Sequence, residues 1–62
     1  MEFYVPTLKR SVEAQALKQT LLAAEPAATI NIDVDQQLVV IHSEASKETF
    51  QQIITATGHQ TQ

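Results

Sequence analysis

The 62-residue chain has no cysteine and no tryptophan, a single glycine, two prolines and only four basic residues against seven acidic ones. The missing cysteine excludes a disulfide framework, thiolate metal ligation and a cysteine nucleophile. A net charge of -3 argues against nucleic acid and anionic lipid as partners, because both present phosphates to the surface. With so little glycine and proline and no block of like charge, no stretch reads as a linker, and no fixed-period repeat is present. The N-terminus lacks the basic start and long apolar stretch of a signal peptide, so a cytoplasmic protein without membrane insertion is expected. What is present is globular: 44% hydrophobic and 18% charged residues predict one folded domain over residues 1–62. A domain of this size buries only about 60% of the surface its unfolded chain exposes. It must therefore rely on its own packing or on a partner.

Hydropathy along the chain predicts six elements. Glu2 to Leu8 reads as a strand, with Phe3 and Val5 on one face and Tyr4 on the other, and with pairing stopped or bulged at Pro6. Ser11 reads as the N-cap of a helix with Glu13 in its first turn. Ala14, Leu17, Leu21 and Ala24 form its apolar stripe, and Glu25-Pro26 ends it. Ala28, Ile30, Ile32 and Val34 alternate with polar residues as a second strand, Asp35-Gln36-Gln37 turns the chain, and Leu38 to His42 returns it as a hairpin. Ser46 caps a second helix with Phe50, Ile53, Ile54 and Thr57 on one stripe, and Gly58 stops it. His59 to Gln62 is long enough for a short last strand. The order β-α-β-β-α-β predicts an α+β ferredoxin-like sandwich, two helices on one face of a four-stranded antiparallel sheet.

Alternation then divides the third strand. With Val39 and Ile41 toward the helices, Leu38, Val40 and His42 lie on the open face beside Tyr4, and this apolar cluster is a candidate interface for a protein partner or for self-association. An enzyme is not expected, because Ser11, Ser43 and Ser46 have no base partner legible in the sequence.

With these elements placed, the whole chain resembles the heavy-metal-associated domain family, and most closely its free-standing small copper chaperones. The resemblance rests on Val5-Pro6-Thr7-Leu8, Thr29 to Val34, Val39-Val40-Ile41, Ser46, and Ala56-Thr57-Gly58-His59. In that family the loop after the first strand carries Met-x-Cys-x-x-Cys, whose thiolates hold and transfer a soft metal such as Cu(I). Here the corresponding positions are Leu8, Arg10 and Glu13. Leu8 replaces the methionine with a side chain of similar volume, but neither guanidinium nor carboxylate offers the sulfur that Cu(I) prefers. Arg10 and Glu13, three apart, are spaced for a side-chain ion pair. The resemblance also sets His59 near this loop, so Glu13 and His59 are the candidate ligands for weak Zn²⁺ or Cu²⁺ binding; two ligands fall short of a closed site and no cofactor is expected. The expected function is a metal-independent interaction or regulatory module. Its alternative is a copper-binding or transport protein of the chaperone type with non-cysteine ligands around Glu13 and His59.

Overall fold

The computed structural model describes all 62 residues, Met1 to Gln62. Three strands and two helices follow in the order β1 (Glu2–Tyr4), α1 (Ser11–Ala24), β2 (Thr29–Asp33), β3 (Leu38–His42) and α2 (Lys47–Ala56). β3 is the central strand, antiparallel to β1 on one side and to β2 on the other. Phe3 pairs with Val39, which faces Ile32 across the other ladder, while Ile41 faces Ile30. Directly opposed residues share a face, so these apolar positions stack into one surface beneath the helices. Leu17 and Leu21 of α1 and Phe50 and Ile54 of α2 close over it, and Val5, Leu8 and Ala28 complete the buried cluster. Each fully buried Leu, Ile or Phe contributes about 1.5–3 kcal/mol, which is how a chain with no disulfide holds together.

Local chemistry sets the helix ends. α2 begins where the Ser46 hydroxyl accepts a hydrogen bond from the Thr49 amide at 3.2 Å. It ends on Thr57, whose amide donates to Ile53 and Ile54 carbonyls, followed by Gly58 at φ 96°. That left-handed angle favours glycine. α1 ends as the Glu25 amide donates to the Leu21 carbonyl at 2.9 Å, immediately before Pro26.

Several expectations need correction. The first strand stops at Tyr4 rather than Leu8, because the Leu8 amide turns back to the Val5 carbonyl at 3.1 Å and carries Leu8 into the core. Ser11 is the first helical residue, and Arg10 holds the N-cap position in extended backbone. Ala24 is exposed at the last position of α1, and Thr57 is exposed beyond α2, so both stripes are shorter than their patterns. The sheet has three strands, not four. Residues 59–62 do run beside β1, but a single backbone hydrogen bond, Gln62 amide to Tyr4 carbonyl at 2.8 Å, joins them to it. A ladder cannot continue past Tyr4, since the next outward-facing position is Pro6, which has no N–H. No helix is long and apolar enough to cross a membrane.

Candidate functional site

The loop from Val5 to Arg10 joins β1 to α1 and carries Leu8 and Arg10, and the first turn of α1 carries Glu13; these are the three positions singled out by the family resemblance. Leu8 is fully buried. Glu13 lies in the first turn of α1, and its carboxylate oxygen Oε1 accepts two backbone hydrogen bonds, from the Lys9 amide at 3.0 Å and the Arg10 amide at 2.9 Å. This is the carboxylate half of a capping box, with the N3 side chain reaching back to the N-cap amide. The reciprocal half is chemically closed to Arg10, because a guanidinium accepts no hydrogen bond. The Lys9 amide, first, and then the Arg10 amide hold the Glu13 carboxyl below its ordinary value against an opposing contribution from desolvation, and the charges of Arg10 and His59 act in the same direction as the amides. The side-chain ion pair that the Arg10–Glu13 spacing allows does not form: the carboxylate is bound to backbone amides, and Arg10 acts on it as a nearby charge.

His59 reaches the loop by another route. Its Nδ1 lies 2.7 Å from the Thr7 hydroxyl, which also accepts from the Gln60 amide at 3.3 Å. Glu13 and His59 border one small cleft with Leu17, Thr20 and Thr57, of about 180 Å³, but no hydrogen bond links the two. Nowhere do three histidine or carboxylate side chains converge in a way that could hold a metal ion. Cu(I) therefore finds no suitable donor set in this loop: sulfur is absent from the chain apart from Met1, and one oxygen of the candidate carboxylate already accepts from two amides.

Sequence reasoning missed Gln37, which organises the loop from the turn between β2 and β3. Its amide nitrogen donates to the Pro6 carbonyl at 2.8 Å and the Leu8 carbonyl at 2.9 Å, and its Oε1 accepts from the Tyr4 hydroxyl at 3.2 Å. Its backbone sits at φ 57°, uncommon for a residue with a side chain. The legible signal is only that a two-residue-type turn, Asp35-Gln36-Gln37, lacks the Asn or Gly that left-handed turn positions favour. Val12, 64% exposed beside Arg10, also escaped notice.

On the open face of the sheet, the register places Tyr4 opposite Leu38 and Glu2 opposite Val40 on one side, and Asp33, Asn31 and Thr29 opposite Leu38, Val40 and His42 on the other. Tyr4 is 43% exposed, Leu38 and Val40 are half-buried, and His42 is exposed. The face thus has an apolar centre, two carboxylates and no lysine or arginine.

No family model matches the chain, and no curated protein does. Solved structures do. The copper chaperone Atx1 from Synechocystis, in a trimeric form, matches with a TM-score of 0.93 at 22% identity over 100% of this chain and 98% of that one. A gold-binding protein matches with a TM-score of 0.92, also at 22% identity and with the same coverage. An Agrobacterium tumefaciens protein matches with a TM-score of 0.89 at 23% identity over 97% of this chain and 94% of that one. At such identities the likeness establishes the fold: two helices on a three-stranded antiparallel sheet, in the ferredoxin-like arrangement of the copper chaperones. It leaves the chemistry to the residues of the site.

Proposed function

We propose that this chain is a metal-independent interaction module built on the copper-chaperone scaffold, with Arg10 and Glu13 standing where that scaffold carries its two thiolates. One observation carries the reading: the Glu13 carboxylate is a backbone cap, accepting from Lys9 and Arg10, rather than a free ligand. The copper-chaperone neighbours support the scaffold, and the cysteine-free sequence supports the loss of thiolate chemistry. The surface left for a partner is the open face around Tyr4, Leu38, Val40 and His42. Glu2 and Asp33 border it without any basic residue, so the partner it fits is a protein with basic side chains around an apolar centre.

Titration decides the metal question. The protein is offered Cu(I) in competition with a chromophoric chelator, and Zn²⁺ and Cu²⁺ separately, beside an Arg10→Cys/Glu13→Cys double variant. The wild type binds no stoichiometric metal, whereas the double variant gains one Cu(I) per chain. Wild-type binding of one metal per chain tighter than about micromolar overturns the reading in favour of a chaperone using Glu13 and His59.

A further inference from the structure

The two edges of the sheet are treated differently. The β1 edge is covered by the C-terminal residues through the Gln62–Tyr4 hydrogen bond. The β2 edge has no such cover. On the β1 side of β3, the Met1 nitrogen and the Ile41 amide exchange hydrogen bonds with each other's carbonyls, and the Val5 amide donates to the Gln37 carbonyl. Odd-numbered residues of β3 therefore address β1, and Leu38, Val40 and His42 address β2 through Asp33, Asn31 and Thr29. The N–H and C=O groups of Ile30 and Ile32 consequently point away from the sheet, and none of the backbone hydrogen bonds formed outside the ladders satisfies them.

Such an edge is usually blunted by a bulge, a proline or a charged side chain. β2 has neither bulge nor proline, its register against β3 being unbroken over Thr29–Asp33, and the single charge in its sequence Thr-Ile-Asn-Ile-Asp is Asp33 at its last position. Beside it runs a groove of about 320 Å³ between α1 and the edge, walled by Ala14, Gln15 and Lys18 on one side and Ile32 and Val34 on the other. The groove gives an added strand room on the helix side of the sheet.

We propose that this edge pairs with the same edge of a second copy, giving a continuous six-stranded sheet across a two-fold axis at Asn31. The strand's own sequence selects that occupant. With Asn31 opposite Asn31 of the other copy, all five residues of each strand are paired. Ile30 and Ile32 exchange four ladder hydrogen bonds with Ile32 and Ile30 of the other chain. Asp33 of each copy faces Thr29 of the other, a carboxylate against a hydroxyl donor, and the two aspartates sit at opposite ends of the ladder, about 13 Å apart. The two Asn31 carboxamides meet as a non-hydrogen-bonded pair, the closest cross-strand spacing, where each can donate to the other. No like charges are opposed along the strand. A five-residue ladder falls in the class of small, weak interfaces, and two chains of net charge -3 repel, so association strengthens with salt.

The inference does not depend on the metal-free reading, and its test is run in chelator so that the two fail separately. Sedimentation and amide chemical shifts are followed with rising protein concentration. Dimerisation is expected in the high-micromolar to millimolar range, with shifts centred on Ile30 and Ile32. Asn31→Lys and Asn31→Asp, both at an exposed position, each place like charges on the axis and weaken dimerisation about tenfold or more, and mixing the two variants restores it. Circular dichroism confirms that each variant is folded. A chain that stays monomeric at millimolar concentration, shifts centred on Tyr4 and Leu38, charge variants that associate like the wild type, or a mixture no tighter than its components would each overturn the proposal.

Discussion

Gln37 offers the sharpest test of how the loop is held, because two effects of known sign act on one residue. Its side chain donates to the Pro6 and Leu8 carbonyls, and its backbone occupies the left-handed region at φ 57°. Replacing it with alanine removes both donated hydrogen bonds and leaves the backbone angle unfavourable. At about 1 kcal/mol for each bond, Gln37→Ala destabilises the domain by about 2 kcal/mol. The exposed bond from Tyr4 adds little. Gln37→Gly loses the same bonds but relieves a left-handed cost of about 1–2 kcal/mol, against about 0.4–1 kcal/mol of extra unfolded-state entropy. Glycine is therefore the milder replacement, by about 0.5–1 kcal/mol.

Urea unfolding followed by circular dichroism reads both values, and for a domain of this size each kcal/mol corresponds to about 4–8 °C in Tm. Amide exchange gives the local readout: Leu8, Lys9 and Arg10 exchange faster in both variants, because the loop loses its tether while the core is intact. If alanine and glycine both lie within about 0.5 kcal/mol of the wild type, the size of an ordinary surface substitution, the tether is not structural. If glycine is the worse of the two, the backbone at position 37 carries no strain.

The Glu13 carboxyl titrates below its unfolded value of about 4.3, so it stabilises the fold above that pH and loses this contribution as pH falls through its folded value. Thermal unfolding between about pH 6 and pH 3 should thus fall more steeply for the wild type than for Glu13→Gln, and parallel curves would refute the cap. Ser46→Ala removes the hydroxyl that caps α2 and costs about 1 kcal/mol in urea unfolding; an unchanged midpoint would show that the cap is dispensable. Thr7→Val keeps the side-chain shape but deletes the hydroxyl shared by His59 and Gln60. It should release residues 59–62 to fast amide exchange with a loss of stability near 1 kcal/mol, and retained protection there would mean that the Gln62–Tyr4 bond alone holds the tail.

The sequence carried the helices and the hairpin because their signals are long and periodic: Ala14, Leu17 and Leu21 at helical spacing, Ile30 and Ile32 alternating, Val39 and Ile41 opposed to them. It misled where an end depends on contacts distant in sequence. The β-branched and aromatic start of the chain suggested a strand to Leu8, but the Val5–Leu8 turn breaks it, and that turn is braced by Gln37, far away in sequence but hydrogen-bonded to Val5. Ser11 had the better capping side chain, yet Glu13 supplies the cap from inside the helix, which moves the boundary back to Arg10. The last strand failed because a strand needs a ladder, and residues 59–62 have one backbone partner. In the site, the Arg10–Glu13 spacing allowed an ion pair, but in the fold the Lys9 and Arg10 amides engage the carboxylate instead.

A loop that accepts and releases a metal must present unengaged ligands and change its coordination during transfer. The Val5–Arg10 loop has the opposite character. Gln37 holds two of its carbonyls, Glu13 holds two of its amides, and Thr7 fastens it to the tail through His59 and Gln60. A scaffold without thiolates gains nothing from a mobile ligand loop, whereas in a domain of 62 residues every loose segment weakens an already small core. In this chain the absence of thiolates thus goes together with a loop tied down from three sides. What the tying leaves free is the sheet, with its open face around Tyr4 and Leu38 and its bare β2 edge, and those surfaces are where interactions of this protein should be sought.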